Sequence, residues 1–125
     1  MILLDTDVMI DILRGYEPAK KWLESAEEIG VPGIVVMELL QGCKNQKEQK
    51  QIEKALSSYS LFWPDENDCN RALAVFSSHH LSDNIGLLDA LIAETANGVN
   101  AELATFNIKH YCVLRGLKTI QPYDR

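Results

Sequence analysis

The chain has 125 residues, 46% of them apolar, which suits one domain built on one hydrophobic core and is too short for two ordinary domains, so residues 1–125 are read as a single unit. No apolar run approaches the roughly 18 residues that span a bilayer, and the opening MILLDTDVMIDILRG carries acids where a signal peptide carries bases, so a cytoplasmic protein with no membrane partner is expected. The formal charge of −6 argues against a general polyanion-binding surface, although a local cluster of metal-binding carboxylates would itself make a chain acidic.

In chain order, MILL ending at Asp5 reads as a short buried strand, and residues 7–14, with Val8, Ile12 and Leu13 on one side, as a helix closed by Gly15. Pro18 stands near the start of a second helix that runs to about Glu28, with Ala19, Trp22, Leu23 and Ala26 at helical spacing. Gly30 and Pro32 punctuate the chain before a second strand expected at 33–35. VVMELLQG is a helical run stopped by Gly42, and the lysine-rich stretch 44–58 follows it. LFW at 61–63 reads as a strand, and 66–80 as a helix with Ala72, Val75 and Phe76 inward. Residues 85–98 form a helix apolar on nearly every side and stopped by Gly98. ELATF at 102–106 is a strand and KTI at 118–120 a last edge strand. Strands alternating with helices, without hairpin signals, predict an α/β fold in which a central, mainly parallel sheet is covered on both faces, a three-layer α/β/α sandwich.

Cys43, Cys69 and Cys112 form no CxxC pair and read as buried small hydrophobes, so neither a disulfide framework nor a zinc site is indicated. His79 and His80 fall near a helix end, and His110 has no second histidine at ligand spacing.

Most of the 18 acids lie in polar surroundings that a solvated helix face explains, and three do not. Asp5 ends an apolar strand, Glu38 stands inside VVMELL, and Asp89 stands inside GLLDALIA. An unpaired buried carboxylate costs several kcal/mol, so these positions call for a cation, strong donors or a path to water. No Lys or Arg occurs in the same runs, which points to a shared divalent metal. Oxygen ligands without Cys or His favour Mg²⁺, or Mn²⁺, over zinc. In an open parallel sheet the ligand crevice lies beyond the carboxyl ends of the strands, where Asp5 and also Asn107, directly after ELATF, are expected. The plainer readings are that Asp5 and Asp7 cap the first helix, that Glu38 faces outward, and that Asp89 is a structural hydrogen-bonding acid.

The segments LLDTDVMIDIL, IVVMELLQG, GLLDALIAETA and LATFNIKHY, in that order from Ile2 to Tyr111, resemble the four signature segments of PIN-domain proteins, especially the VapC toxins of prokaryotic toxin–antitoxin pairs. The resemblance implies a Mg²⁺- or Mn²⁺-dependent endoribonuclease that hydrolyses RNA phosphodiesters with metal-activated water, forms a homodimer and is inhibited by a cognate VapB-like antitoxin. Asp5, Glu38 and Asp89 match the three most regular acids of that family. The family often carries an acid at the position of Asn107 or of His110, and this chain carries neither. Three carboxylates and an amide would then hold one magnesium well, and a second only with help from the substrate phosphate. Thr6 and Thr105 are candidate donors that orient the carboxylates.

Lys44, Lys47, Lys50 and Lys54 recur at spacings that share one helical face, opposite Ile52, Ala55 and Leu56, and form either an RNA phosphate-contacting stripe or a solvated surface. Trp22, Tyr59 and Trp63 adjoin apolar runs and read as core or as contacts between two copies rather than as base-stacking platforms. Two rival functions remain. A haloacid-dehalogenase-like phosphatase would use Asp5 as nucleophile and Asp7 as acid, but the later acidic metal loop of that chemistry has no counterpart here. A non-catalytic PIN module would bind RNA or a protein, and Asn107 and His110 are the residues that favour it.

Overall fold

The computed structural model describes residues 1–125. Five strands, β1 (Ile2–Leu4), β2 (Ile29–Pro32), β3 (Ser60–Phe62), β4 (Glu102–Ala104) and β5 (Thr119–Ile120), pair in the order β3-β2-β1-β4-β5, and every pairing is parallel. Seven helices intervene: α1 (Thr6–Leu13), α2 (Glu17–Ser25), α3 (Gly33–Gln41), α4 (Gln46–Leu56), α5 (Glu66–His79), α6 (Leu87–Gly98) and α7 (Ile108–Tyr111). Parallel crossovers are right-handed, so the connections running from β1 out to β3 put α1–α4 on one face, and those returning to β4 and β5 put α5–α7 on the other. The packing agrees: α1 rests on α2 and α3, α3 on α4, and α5 runs along α6. The expected three-layer α/β/α sandwich is what the chain forms.

The sheet is central because its short strands are apolar on both sides. Leu3, Leu4, Val31, Leu103 and Ala104 are fully buried and join one core cluster with Val8, Met9, Val35, Ile92 and Tyr111. Burying each such aliphatic side chain contributes about 1.5–3 kcal/mol, which here outweighs the modest length of the strands. Gly30 is required by close packing, since a Cβ at that position would overlap the Phe62 ring on β3.

The second strand lies earlier than its sequence suggested, at Ile29–Pro32 rather than 33–35. Pro32 has no N–H to continue a ladder and adopts the extended conformation of a helix N-cap, so the helix begins at Gly33. The second helix is correspondingly shorter, ending at Ser25. Glu28 has φ +50, and its carbonyl accepts the Ile2 N–H at 3.0 Å, which commits the chain to sheet pairing. The α6 helix begins at Leu87 after Gly86, and β4 ends at Ala104, two residues before the expected limit. The single turn of α7 is too short to leave a periodic pattern in the sequence.

One side-chain expectation is corrected. Cys69 and Cys112 are exposed and Cys43 is half-buried: Cys69 opens onto a shallow apolar hollow between α5 and α6 with Leu73, Phe76, Leu87 and Leu91, and the Cys112 thiol donates to the Lys109 carbonyl at 3.0 Å at the end of α7. Ala55 is exposed on α4, while Leu56 is buried and Ile52 half-buried. Trp63 is 55% exposed, lying flat over Gly33, where a Cβ would meet its ring. Trp22 and Tyr59 are half-buried against the core.

Candidate active site

The strand order reverses direction between β1 and β4, and the crevice at such a switch point is where open α/β sheets hold ligands. A cleft of about 260 Å³ opens there, lined by Asp5, Thr6, Asp7, Ile10, Glu38, Asp89, Ile92, Asn107 and Tyr111. Three helices and the segments after two strands supply the polar groups. Asp5 follows β1, Asp7 stands in the first turn of α1, Glu38 projects from α3, Asp89 from the first turn of α6, and Asn107 follows β4.

Asp5 is 7% exposed and is the N-cap of α1. Its Oδ1 accepts the Thr6 N–H at 2.8 Å and its Oδ2 accepts the Thr105 hydroxyl at 2.8 Å, so capping and membership of the cleft are both true of this residue. Burial, with the neighbouring Asp7 charge next in importance, pushes its carboxyl up to about 6. Glu38 Oε1 accepts the Thr6 hydroxyl at 3.0 Å. Asp89 Oδ2 accepts the Gly86 N–H at 2.9 Å and lies 3.0 Å from His110 Nε2. The Asn107 N–H donates to Thr105 Oγ1 at 3.0 Å, while its side chain makes no capping bond to α7.

Sequence reasoning left the roles of Asp7 and His110 open and did not name Tyr111. Asp7 Oδ2 accepts the Phe106 N–H at 2.9 Å, which ties α1 to the segment after β4. The sequence signals for His110 are its place where the family often carries an acid and its spacing of three residues, one helical turn, from Asn107. Tyr111 is buried at the floor of the cleft, and burial together with the surrounding acids Asp5, Asp89, Asp7 and Glu38 drives its hydroxyl pKa upward. Lys44 precedes α4 and stands apart from the other lysines, whereas Lys47, Lys50 and Lys54 share a shallow groove with Gln46 and Gln51. On α4, Glu48 and Ile52 face a second hollow of about 370 Å³ that reaches Thr6, Ile10 and Glu38, so the lysines occupy an adjoining face.

The acids are each turned to hydroxyl and amide donors, and no three Asp, Glu, His or Cys side chains converge on a common coordination point. The donor set nonetheless fits a hard divalent cation. It is oxygen-rich, it gathers four carboxylates in one cleft, and Asp5 is buried next to like charge with no Lys or Arg to compensate it.

A family model described as PIN domain matches residues 2–113. The chain belongs to the PIN-domain family. Among relatives of this PIN domain, Ribonuclease VapC10 of Mycobacterium tuberculosis (strain ATCC 25618 / H37Rv) is 37% identical over 122 residues, covering 94% of this chain and 91% of that protein. A toxin–antitoxin complex from Klebsiella pneumoniae contains a chain that superposes with a TM-score of 0.81 at 27% identity, over 100% of both chains. The VapBC2 complex of Rickettsia felis, bound to a DNA fragment from its promoter, matches with a TM-score of 0.79 at 24% identity over 96% of this chain and 98% of that one, a likeness of fold. Membership of this family, and a cleft that holds its acids together, leave no support for the phosphatase reading. No helix of the PIN domain is long and apolar enough to cross a membrane.

Proposed function

We propose that this PIN domain is a Mg²⁺-dependent endoribonuclease, Mn²⁺ substituting, and the toxin of a VapBC-type pair restrained by a VapB-like antitoxin. The observation that carries the reading is the meeting of Asp5, Glu38, Asp89 and Asn107, drawn from four separate parts of the chain, in one cleft at the switch point of the sheet. The relatives named ribonucleases and toxin–antitoxin complexes support the same reading.

In this mechanism Asp5, Glu38 and Asp89 hold the cation. When bound, a divalent cation supplies the charge that lowers the pKa of a nucleophilic water and neutralises the leaving 3′-oxygen of the RNA phosphodiester. Thr105 and Thr6 keep the carboxylates of Asp5 and Glu38 oriented, and the buried floor of Tyr111 and Ile92 limits access of bulk water from below. Asn107 offers a neutral carbonyl oxygen where the family often has an acid, so the cleft binds one cation tightly and recruits a second only with the substrate phosphate. RNA approaches over Lys47, Lys50 and Lys54, and two copies of the chain associate as a homodimer.

The test is incubation of the purified protein with total RNA in Mg²⁺, in EDTA, and as Asp5→Asn and Asp89→Asn. Discrete cleavage confined to the wild type in Mg²⁺ is expected, and cleavage that survives both substitutions overturns the reading. Metal titration of the RNA-free protein should give one site, and two sites of similar affinity would refute the role given to Asn107.

A further inference from the structure

Helix α1 carries two acids one turn apart, Asp7 and Asp11, which therefore share a face. Asp7 is bound to the segment after β4, through the Phe106 N–H. Asp11 is bound to the segment after β5. The Tyr123 hydroxyl donates to Asp11 Oδ2 at 2.7 Å, and Arg125 grips the same carboxylate side-on with one edge of its guanidinium, Nε to Oδ2 at 3.0 Å and Nη2 to Oδ1 at 3.2 Å. The two segments meet at the Phe106 ring. Arg125 lies over that ring at 4.4 Å, and the Tyr123 ring meets it edge-on at 4.9 Å. Tyr123 is itself backed by Tyr16 and Trp22.

Phe106 sits between Thr105, which is buried behind the cleft, and Asn107, which lines it. On one side, Thr105 has a single hydroxyl hydrogen and two carboxylates within reach, Asp5 at 2.8 Å and Asp7 at 3.4 Å. The closer contact is to Asp5, while Asp7 Oδ2 also accepts the Phe106 N–H at 2.9 Å. On the other side, Asn107 is held by its own N–H to Thr105 Oγ1. If the Phe106 ring slips, its N–H leaves Asp7, the freed carboxylate competes for the Thr105 hydrogen, and Asp5 loses its side-chain donor.

We propose that Arg125 and Tyr123 are positioning residues for the acidic cleft: anchored on Asp11, they clamp Phe106 against α1 and thereby hold Thr105 and Asn107 in register with Asp5. Neither residue lines the cleft; the effect passes through Phe106 and through Arg125 Nη2, which donates to the Asp7 carbonyl at 3.4 Å. The consequence for catalysis rests on the ribonuclease reading above, whereas the clamp itself does not.

The experiment compares wild type with Arg125→Gln, Arg125→Lys and Tyr123→Phe by amide hydrogen exchange in metal-free protein, Mn²⁺ calorimetry, and kcat and KM on an RNA. In Arg125→Gln the Phe106 amide should exchange about tenfold faster while the amides of β1 and β2 keep their protection. Mn²⁺ affinity should fall about tenfold, and kcat should fall while KM for RNA is held. Arg125→Lys should fall between, since an ammonium keeps the charge and loses the two-pronged geometry. Tyr123→Phe, which deletes one hydroxyl, should give a smaller loss at the same amide and covers the case of a poorly folding Arg125 variant. A Phe106 amide that stays protected, or exchange rising equally at every amide, overturns the clamp. Wild-type protein that cleaves no RNA overturns the ribonuclease reading, and exchange and Mn²⁺ binding still decide the clamp.

Discussion

His110 Nε2 stands 3.0 Å from Asp89 Oδ2, joining α7 to the first turn of α6 across 21 residues of sequence. The family often has an acid at the position of His110, and here the residue instead contributes a nitrogen to one of the cleft's own carboxylates. The same Asp89 oxygen accepts the Gly86 N–H, so one of its faces is fully committed and the other oxygen is left for the cleft.

His110→Ala is therefore expected to leave Asp89 free to rotate and to weaken divalent metal binding about tenfold, the range for loss of a partner that orients a ligand. His110→Gln, which can still offer an N–H, should recover part of it. Equal Mn²⁺ affinity in wild type and His110→Ala would show that Gly86 alone suffices.

The carboxyl of Asp5 gives the metal-free protein a signed pH dependence. Its pKa is about 6 in the fold against an ordinary 3.8, first because it is buried and then because Asp7 stands beside it. Between those values the folded chain holds a proton that the unfolded chain has released. The contribution is fully present below pH 3.8 and is lost as pH rises to and beyond about 6, an amount of up to about 3 kcal/mol. In EDTA, Asp5→Asn should gain on wild type in Tm as pH is raised from 4 to 7, and Mg²⁺ should reduce the gap at pH 7. A gap that does not change with pH would contradict it.

Replacing Lys47, Lys50 and Lys54 by Gln should flatten the dependence of RNA cleavage on salt, by about 0.7 in log–log slope for each phosphate contact removed. Lys44→Gln, outside the helix and outside the shared groove, should change the slope less. Parallel salt curves for the triple variant and the wild type would assign these lysines to solvation alone.

Gly98→Ala should destabilise the fold without touching the cleft. A Cβ there would overlap the carboxylate of Asp68, which closes the capping box of α5 and pairs with Arg71. Arg71 in turn donates to the buried Glu94 of α6 at 2.9 Å. The expected loss is about 1–3 kcal/mol, read as a lower denaturant midpoint, with Mn²⁺ affinity retained in the folded fraction.

Much of the site was legible before the fold because chemistry and context disagreed locally. A carboxylate within VVMELL or GLLDALIA is conspicuous in a string of letters, since burying it there needs compensation. Asp5 was legible for the same reason, and the alternation of strands and helices sufficed for a parallel, layered sheet. The β2 boundary was not, because IGVPGIVV is apolar throughout and only the proline's missing N–H decides where strand yields to helix. The cysteines misled because a small apolar residue type carries no information about which side of its helix faces out.

By itself, then, the sequence determined which residues bear an awkward charge and what layered architecture would surround them, since both follow from local pattern and the cost of burial. Only the tertiary structure decided which donors satisfy those charges. Thr105 reaches Asp5 across 100 residues, His110 reaches Asp89 across 21, and Arg125 reaches Asp11 across 114. Those pairings depend on the order β3-β2-β1-β4-β5 bringing the ends of β1 and β4 side by side, and nothing local to either strand encodes that adjacency.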